Sequence, residues 1–371
     1  MRLGGFVCMC LTIPGFVLCW VLPAIASMLL LLGRQHAALT SQMAIASACF
    51  CQPSMGVPGS ILAAAITVAI ARTDQSSASL AGSTIWFMMT LMNWGLHLGY
   101  SPAFSRFLFS LDIRSYFYQC ELRGAVDSLG RSSTLFMFHP HGVITAGFSC
   151  NGIFSADFSE RTLPAGCSSS SSREKRWRFH EWPGTIFLLT SGLREPSHYF
   201  KLLCDLTGRM ESATRANVRR FMRAGRNLAI LPGGFEEATL FEYGVHRVAI
   251  RHRKGIVKYA LQHGYMLQPI YTFGENRTYR TATGLRRFRL WLNRFQVPCV
   301  AFWGDWLVPI FPRRDASCLS YVAPPLQLPL IAEPTQAQLD EWHAKYVDAL
   351  QALFDNSKAD AGEPDAVLEV W

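Results

Sequence analysis

The chain has 371 residues, a formal net charge of +9, 50% apolar residues and only 16% charged ones. Typical soluble domains carry about 25% charge, so disorder as the main state is excluded and an unusually apolar chain is indicated. Before Arg106 the only charged side chains are Arg2, Arg34, Arg72 and Asp74, which leaves 32 basic and 25 acidic residues for the remainder.

In chain order, residues 3–33 are uncharged and as a helix would reach roughly 46 Å, more than the ~30 Å hydrocarbon layer of a bilayer. Pro14, Gly15 and Pro23 interrupt the run, which suits a bent helix or hairpin as well as a straight rod. Further apolar segments gather at Val57–Ala71 and Ser83–Tyr100, the latter with Trp86, Trp94 and Tyr100 as interfacial aromatics. Residues 1–105 therefore read as a membrane anchor of two or three segments. A rival reading takes Ala24-Ile25-Ala26 as a signal cleavage site.

From residue 106 to about 354, apolar runs alternate with amphipathic patterns, which predicts an α/β domain, a sheet flanked by helices. Strands are expected at Ser133–Phe138, Thr185–Thr190, Leu228–Leu231 and Met266–Tyr271. Helices are expected at Ala213–Ala224, closed by Gly225, and at Ile256–Gln262. Thr335 and Gln338 form a capping box for a terminal helix reaching about Phe354, and residues 355–371 read as a loose acidic tail. Between the strands, Cys167–Ser172 and Arg173–Arg178 read as a Ser-rich and then basic connector. The 11 cysteines are scattered, without a Cys-x-x-Cys pair, and read as reduced thiols.

Chemistry concentrates after the first strand, at His139-Pro140-His141-Gly142. Proline and glycine beside an imidazole allow it to be held rigidly at a strand end, and an imidazole near pKa 6.5 accepts a proton from an alcohol at neutral pH. After the third strand comes Leu231-Pro232-Gly233-Gly234-Phe235-Glu236-Glu237, where backbone N–H groups can face an anion. Arg253-Lys254-Gly255 opens a helix with cations, and Phe273-Gly274-Glu275-Asn276 follows the fourth strand. No Gly-x-Ser-x-Gly elbow occurs, so a covalent nucleophile is disfavoured. Two further stretches can meet membrane or phosphate: the basic, apolar segment Gly284–Phe295 and the cations of Arg215–Arg226 and Arg247–Lys254. No nucleic-acid motif accompanies the charge.

These four blocks, in this order over roughly Phe104–Phe354, resemble the type 2 diacylglycerol acyltransferase family, which includes monoacylglycerol and wax-alcohol acyltransferases. The resemblance implies a glycerolipid-acyltransferase-like sheet and an N-terminal membrane-embedded helical segment. It also implies an enzyme of the endoplasmic reticulum membrane and lipid droplet that moves a fatty acyl group from acyl-CoA to diacylglycerol, with no other cofactor. Within that reading His141 is the base, His139 supports the corner, and Glu237 is the first choice for the carboxylate that orients the base. Gly142, Gly233 and Gly234 offer oxyanion donors, and Pro140, Arg253, Lys254, Gly255, Phe273, Gly274, Glu275 and Asn276 line the substrate site. Gln268-Pro269 and Ala323 depart from the family's usual residues, and Ile144 and Ala146 stand where related acyltransferases carry an Asp after their His. The single sequon, Asn276-Arg277-Thr278, lies inside the fourth block and argues for a cytosolic domain. Two competing classes are a metal-dependent membrane hydrolase, with His139, His141 and either Glu237 or His252 as ligands, and a non-enzymatic lipid-binding scaffold.

Overall fold

The computed structural model describes residues 4–7, 9, 99–165, 182–190, 194, 198–293 and 300–371. The predicted membrane segments and the Ser-rich and basic connector fall almost wholly outside the described residues. Among the described residues no helix is long and apolar enough to cross a membrane. The chain divides into two compact units: Met1–Met9, Pro102–Thr190 and Arg209–Trp371 form one, and the remainder forms the other. In the second unit the helix His198–Thr207 is tied to Arg194, whose guanidinium donates to Asp205 at 2.6 Å.

The first unit is built on a mixed sheet. Strands β1 (Gln119–Gly124), β2 (Thr134–His139), β3 (Ile186–Leu189), β4 (Met210–Ser212), β5 (Leu228–Ile230), β7 (Met266–Phe273) and β10 (Ser317–Val322) lie in the order β1-β10-β7-β2-β5-β3-β4, with the short β11 (Leu326–Gln327) also paired to β7; β6 (His246–Val248), β8 (Arg280–Thr281), β9 (Phe302–Trp303) and β12 (Leu368–Val370) form two small separate pairs. β7, β2, β5, β3 and β4 are mutually parallel, while β10 runs antiparallel to β7 and parallel to β1. All six residues of β2 are buried, as expected of a central parallel strand covered on both faces.

The four strands read from the sequence are present, with ends shifted by one or two residues. The expected helices occupy Arg215–Arg223 and Gly255–His263, followed by Gly225 and Gly264, both with φ of +64°. The capping box at Thr335 and Gln338 starts a helix that runs from Gln336 to Ser357. One expectation is corrected here: the acidic tail is not loose. Leu368–Val370 form β12 and pair in parallel with β6 (His246–Val248). Buried His246 meets Glu363 at 2.9 Å, and Arg247 donates to Glu369 at 2.7 Å. An inward Arg247, bonded also to the Leu240 carbonyl, is committed to this tail rather than turned toward a phosphate.

The positions that depart from the family pattern are bonded to one another. Buried Gln268, near the start of β7, donates to the Ala323 carbonyl at 2.9 Å. They lie at the opposite end of β7 from Phe273 and the block that follows it. The predicted basic amphipathic helix occupies Arg286–Leu292 and inverts the usual arrangement. Arg289 is buried, donating to the Ala282 and Thr239 carbonyls, whereas Leu285, Phe288 and Trp291 are exposed.

Candidate active site

Three of the four sequence blocks come together because of strand order. β7, β2 and β5 are adjacent and parallel, so their C-terminal exits open on one edge, where ligands of open α/β sheets characteristically bind. Those exits carry Phe273-Gly274-Glu275-Asn276, His139-Pro140-His141-Gly142 and Leu231-Pro232-Gly233-Gly234 in that spatial order.

The two histidines differ in kind. His139 is the last residue of β2 and fully buried; its Nε2 lies 2.7 Å from the Tyr346 hydroxyl, and its Nδ1 has no hydrogen-bond partner among the described residues. Burial pushes its pKa down to about 3, so the ring is neutral and supports the corner. His141 follows the cis His139-Pro140 peptide and is only partly buried. Its Nδ1 lies 2.9 Å from the Gly142 carbonyl oxygen. A carbonyl only accepts, so Nδ1 carries the proton, and the neutral ring presents Nε2 as a base. Burial lowers the His141 pKa, opposed by the bond to Gly142.

Two buried carboxylates hold the main chain of this corner. Glu237, on the helix Gly234–Leu240, accepts from the His141 backbone N–H at 2.8 Å and from the Ala249 N–H at 3.3 Å. It therefore acts on the backbone of His141, while the Gly142 carbonyl holds the ring. Glu275 accepts from the N–H groups of Ala146 (2.9 Å) and Gly147 (2.6 Å), at the start of the π-helical turn Gly147–Ile153. Glycine is required twice at this clamp. A Cβ on Gly233 would meet the Glu237 carboxylate at 1.5 Å, and one on Gly142, whose φ is +64°, would meet Glu275 at 2.3 Å.

Burial raises Glu237 and Glu275 each to about 7 from an ordinary 4.5, against the lowering effect of their backbone donors. The folded state therefore binds protons that the unfolded chain has already released between pH 4.5 and 7. Stability from these groups is full below that window and is lost as pH rises through it, by up to about 3 kcal/mol each. Glu275→Gln, which cannot ionise, is expected to flatten the fall in unfolding free energy between pH 5 and 8. Denaturation of the detergent-solubilised protein across that range checks this, and an unchanged slope would refute the assignment to Glu275.

The cationic block is tied to the same helix from outside. Arg253 pairs with exposed Glu236 at 2.9 Å, and Lys254 with Asp340 at 2.7 Å, at the head of the Gly255–His263 helix. Phe273 is buried and stacks on Phe354, with ring centroids 5.0 Å apart. Gly274 makes the turn that delivers Glu275, at φ +81°. Asn276 is 2% exposed, and its amide nitrogen and oxygen have no hydrogen-bond partner among the described residues. Gly234 has φ +55°, and a Cβ added there would meet none of the described residues within 4 Å.

The sequence did not single out Tyr346, the partner of His139. Its signal was periodic: Leu339, His343, Tyr346, Leu350 and Phe354 form the buried stripe of the terminal helix. Among the described residues no group of three His, Cys, Asp or Glu side chains could hold a metal ion. The alternative ligand set of His139, His141 and Glu237 or His252 is therefore not such a group.

Residues 201–371 match the family model described as diacylglycerol acyltransferase. The match includes the blocks at Gly233–Glu237, Arg253–Gly255 and Phe273–Asn276, and begins after His139–Gly142. Among curated proteins, the chain is 28% identical over 249 residues to diacylglycerol O-acyltransferase 2 of Xenopus laevis, covering 62% of this chain and 63% of that one. It is 29% identical to the Homo sapiens protein of the same name, covering 64% and 60%. To acyl-CoA wax alcohol acyltransferase 1 of Homo sapiens it is 29% identical, covering 60% and 66%. The chain thus spans less than two thirds of the length of these relatives. No solved structure matches it.

Proposed function

We propose that the chain, whose residues 201–371 match the family model described as diacylglycerol acyltransferase, is an acyl-CoA-dependent O-acyltransferase converting diacylglycerol to triacylglycerol. The observation that carries the reading is the bond from His141 Nδ1 to the Gly142 carbonyl, which leaves Nε2 as a base at the meeting point of three strand exits. In the proposed reaction His141 Nε2 takes the proton from the acceptor hydroxyl as its oxygen attacks the thioester carbonyl. The tetrahedral intermediate collapses, the C–S bond breaks, and the coenzyme A thiolate recovers the proton from His141. Backbone N–H groups near Gly142, or at Gly233 and Gly234, would stabilise the oxyanion. Asn276, buried with both amide atoms unpaired among the described residues, is suited to a substrate polar group; an unmade bond there costs about 1–3 kcal/mol, which a ligand would recover.

The wax-alcohol relative favours a long-chain alcohol as the second reading of the acceptor. In either case the proposed enzyme draws its acceptor from the endoplasmic reticulum membrane or lipid droplet, with the site on the cytosolic side. Asn276 and the Thr278 hydroxyl of the sequon are both buried, and Thr278 donates to the Glu275 carbonyl, so the folded domain offers no acceptor for a glycan.

One microsomal experiment tests these points together. Membranes expressing the chain are given labelled acyl-CoA with competing diacylglycerol, monoacylglycerol and fatty alcohol, and the products are separated by lipid class. Triacylglycerol is the expected main product. Wax ester in its place moves the assignment to the second reading, and no ester above background refutes both. Glycosidase treatment of the same membranes should leave the mass unchanged; a glycan on Asn276 would overturn the cytosolic placement.

A further inference from the structure

Strand β9 (Phe302–Trp303) leads into a loop of unusual composition, Gly304-Asp305-Trp306-Leu307-Val308-Pro309-Ile310. Trp306 is 84% exposed, Leu307 61% and Trp303 47%. Large apolar side chains at such exposure are costly in water when they are grouped rather than scattered.

The display is held from beneath. Gly304 N–H donates to the Pro309 carbonyl and Asp305 N–H to the Phe311 carbonyl, each at 2.8 Å, which closes the base of the loop. The buried Asp305 carboxylate accepts from the Leu307 N–H at 2.9 Å and from both Nε and a terminal nitrogen of Arg314, at 2.6 and 2.7 Å. Arg314 holds the Asp305 carboxyl below its ordinary pKa. Tyr279 and Tyr116 donate to the Ile310 and Pro312 carbonyls, at 3.0 and 2.7 Å. The only charge within the loop is thus turned inward and neutralised; the outward tip presents Trp306 and Leu307, and exposed Trp303 stands on the strand that leads into it.

A second observation, at the base of the loop, bears on what the tip would meet. Phe311, at the base of the loop, packs edge-on against Phe6 with ring centroids 5.9 Å apart. Gly4 and Gly5 sit close against Leu111 and Tyr116, next to the same base. The uncharged run that begins at residue 3 thus has its first described residues, Gly4 to Phe6, packed beside the base of this loop, and a lipid surface is the one occupant that suits both such a run and an apolar tip.

We propose that the Trp303–Ile310 loop is a bilayer-docking element, its tip entering the interfacial layer of a lipid membrane, where tryptophan side chains partition well. It deepens the proposed function, because it would hold the domain against the membrane that supplies a lipid acceptor.

The test needs no turnover, so it stands apart from the acyltransferase reading. In the full chain reconstituted into phosphatidylcholine vesicles containing a radiolabelled phospholipid, Leu307→benzoylphenylalanine is irradiated. Trp303→benzoylphenylalanine serves as a second probe, and exposed Glu341→benzoylphenylalanine, on the terminal helix, as the reference. Labelled lipid adduct at position 307 or 303 about tenfold above that at 341 is expected, since each 1.4 kcal/mol of partitioning is tenfold. Equal labelling at all three positions overturns the proposal. So does a crosslinked dimer in place of lipid adduct, which would assign the loop to a second copy of the chain.

Discussion

Replacing His141 by alanine is expected to lower acyl transfer by about 10²- to 10⁴-fold, the usual contribution of a positioned general base. The corner should survive the change, because Glu237 holds residue 141 through its backbone N–H at 2.8 Å, a bond that alanine retains. The kcat should therefore fall while acyl-CoA binding and the thermal midpoint stay close to wild type. Steady-state kinetics with labelled acyl-CoA, set beside a melting curve, separates the two. Near-normal kcat in a folded variant would remove His141 from the reaction; loss of folding would instead assign the ring a packing role. His139→Ala makes the contrast. It empties a buried site and strands the Tyr346 hydroxyl, so its effect should appear first in stability.

Gly274→Ala is expected to be the most damaging single methyl in the described part of the chain. Its Cβ would come within 1.6 Å of the Ser317 carbonyl oxygen, and its φ is +81°. A backbone atom of a neighbouring strand cannot swing aside as a side-chain tip can. Positive φ for a non-glycine residue and an overpacked contact each cost roughly 1–3 kcal/mol, so about 3 kcal/mol or more is expected in sum. The strain falls on the turn that delivers Glu275 to the N–H groups of Ala146 and Gly147. Chemical denaturation should show a lower midpoint, and the residual folded fraction should turn over slowly. Gly255→Ala is the matched control, because none of the described residues lies within 4 Å of its added carbon; a similar fall of the denaturation midpoint in both variants would refute the steric account.

The central strands were legible because burial on both faces leaves no room for polar residues. β2 reads Thr-Leu-Phe-Met-Phe-His, and β7 is buried from its second residue onward. The helices were legible through their ends, at Thr335, Gly225 and Gly264. The edge of the sheet was not, because β1 alternates exposed and half-buried residues, and its pairing with β10 joins positions about 200 residues apart. Pairing of the tail was hidden for a similar reason: β12 is three residues long and follows an acidic stretch with no strand pattern. Within the site, His141 and Glu237 were readable as chemical types. That Glu237 grips a backbone N–H and that a carbonyl holds the ring follow from three-dimensional approach across 96 residues in one case and from a local turn in the other. The apolar tip at Trp306 was passed over because Trp-Leu-Val-Pro-Ile reads equally well as core.

The first nine residues belong to the same compact unit as the sheet, although more than ninety residues separate them from Pro102 in sequence. Shortening the protein from its amino end to obtain a soluble catalytic fragment would therefore strip Phe6 from Phe311 and open the surface of Leu111 and Tyr116 that Gly4 and Gly5 cover. A fragment that keeps the opening residues and joins them to Pro102 by a flexible linker preserves that cover, and is the better starting point for crystallisation.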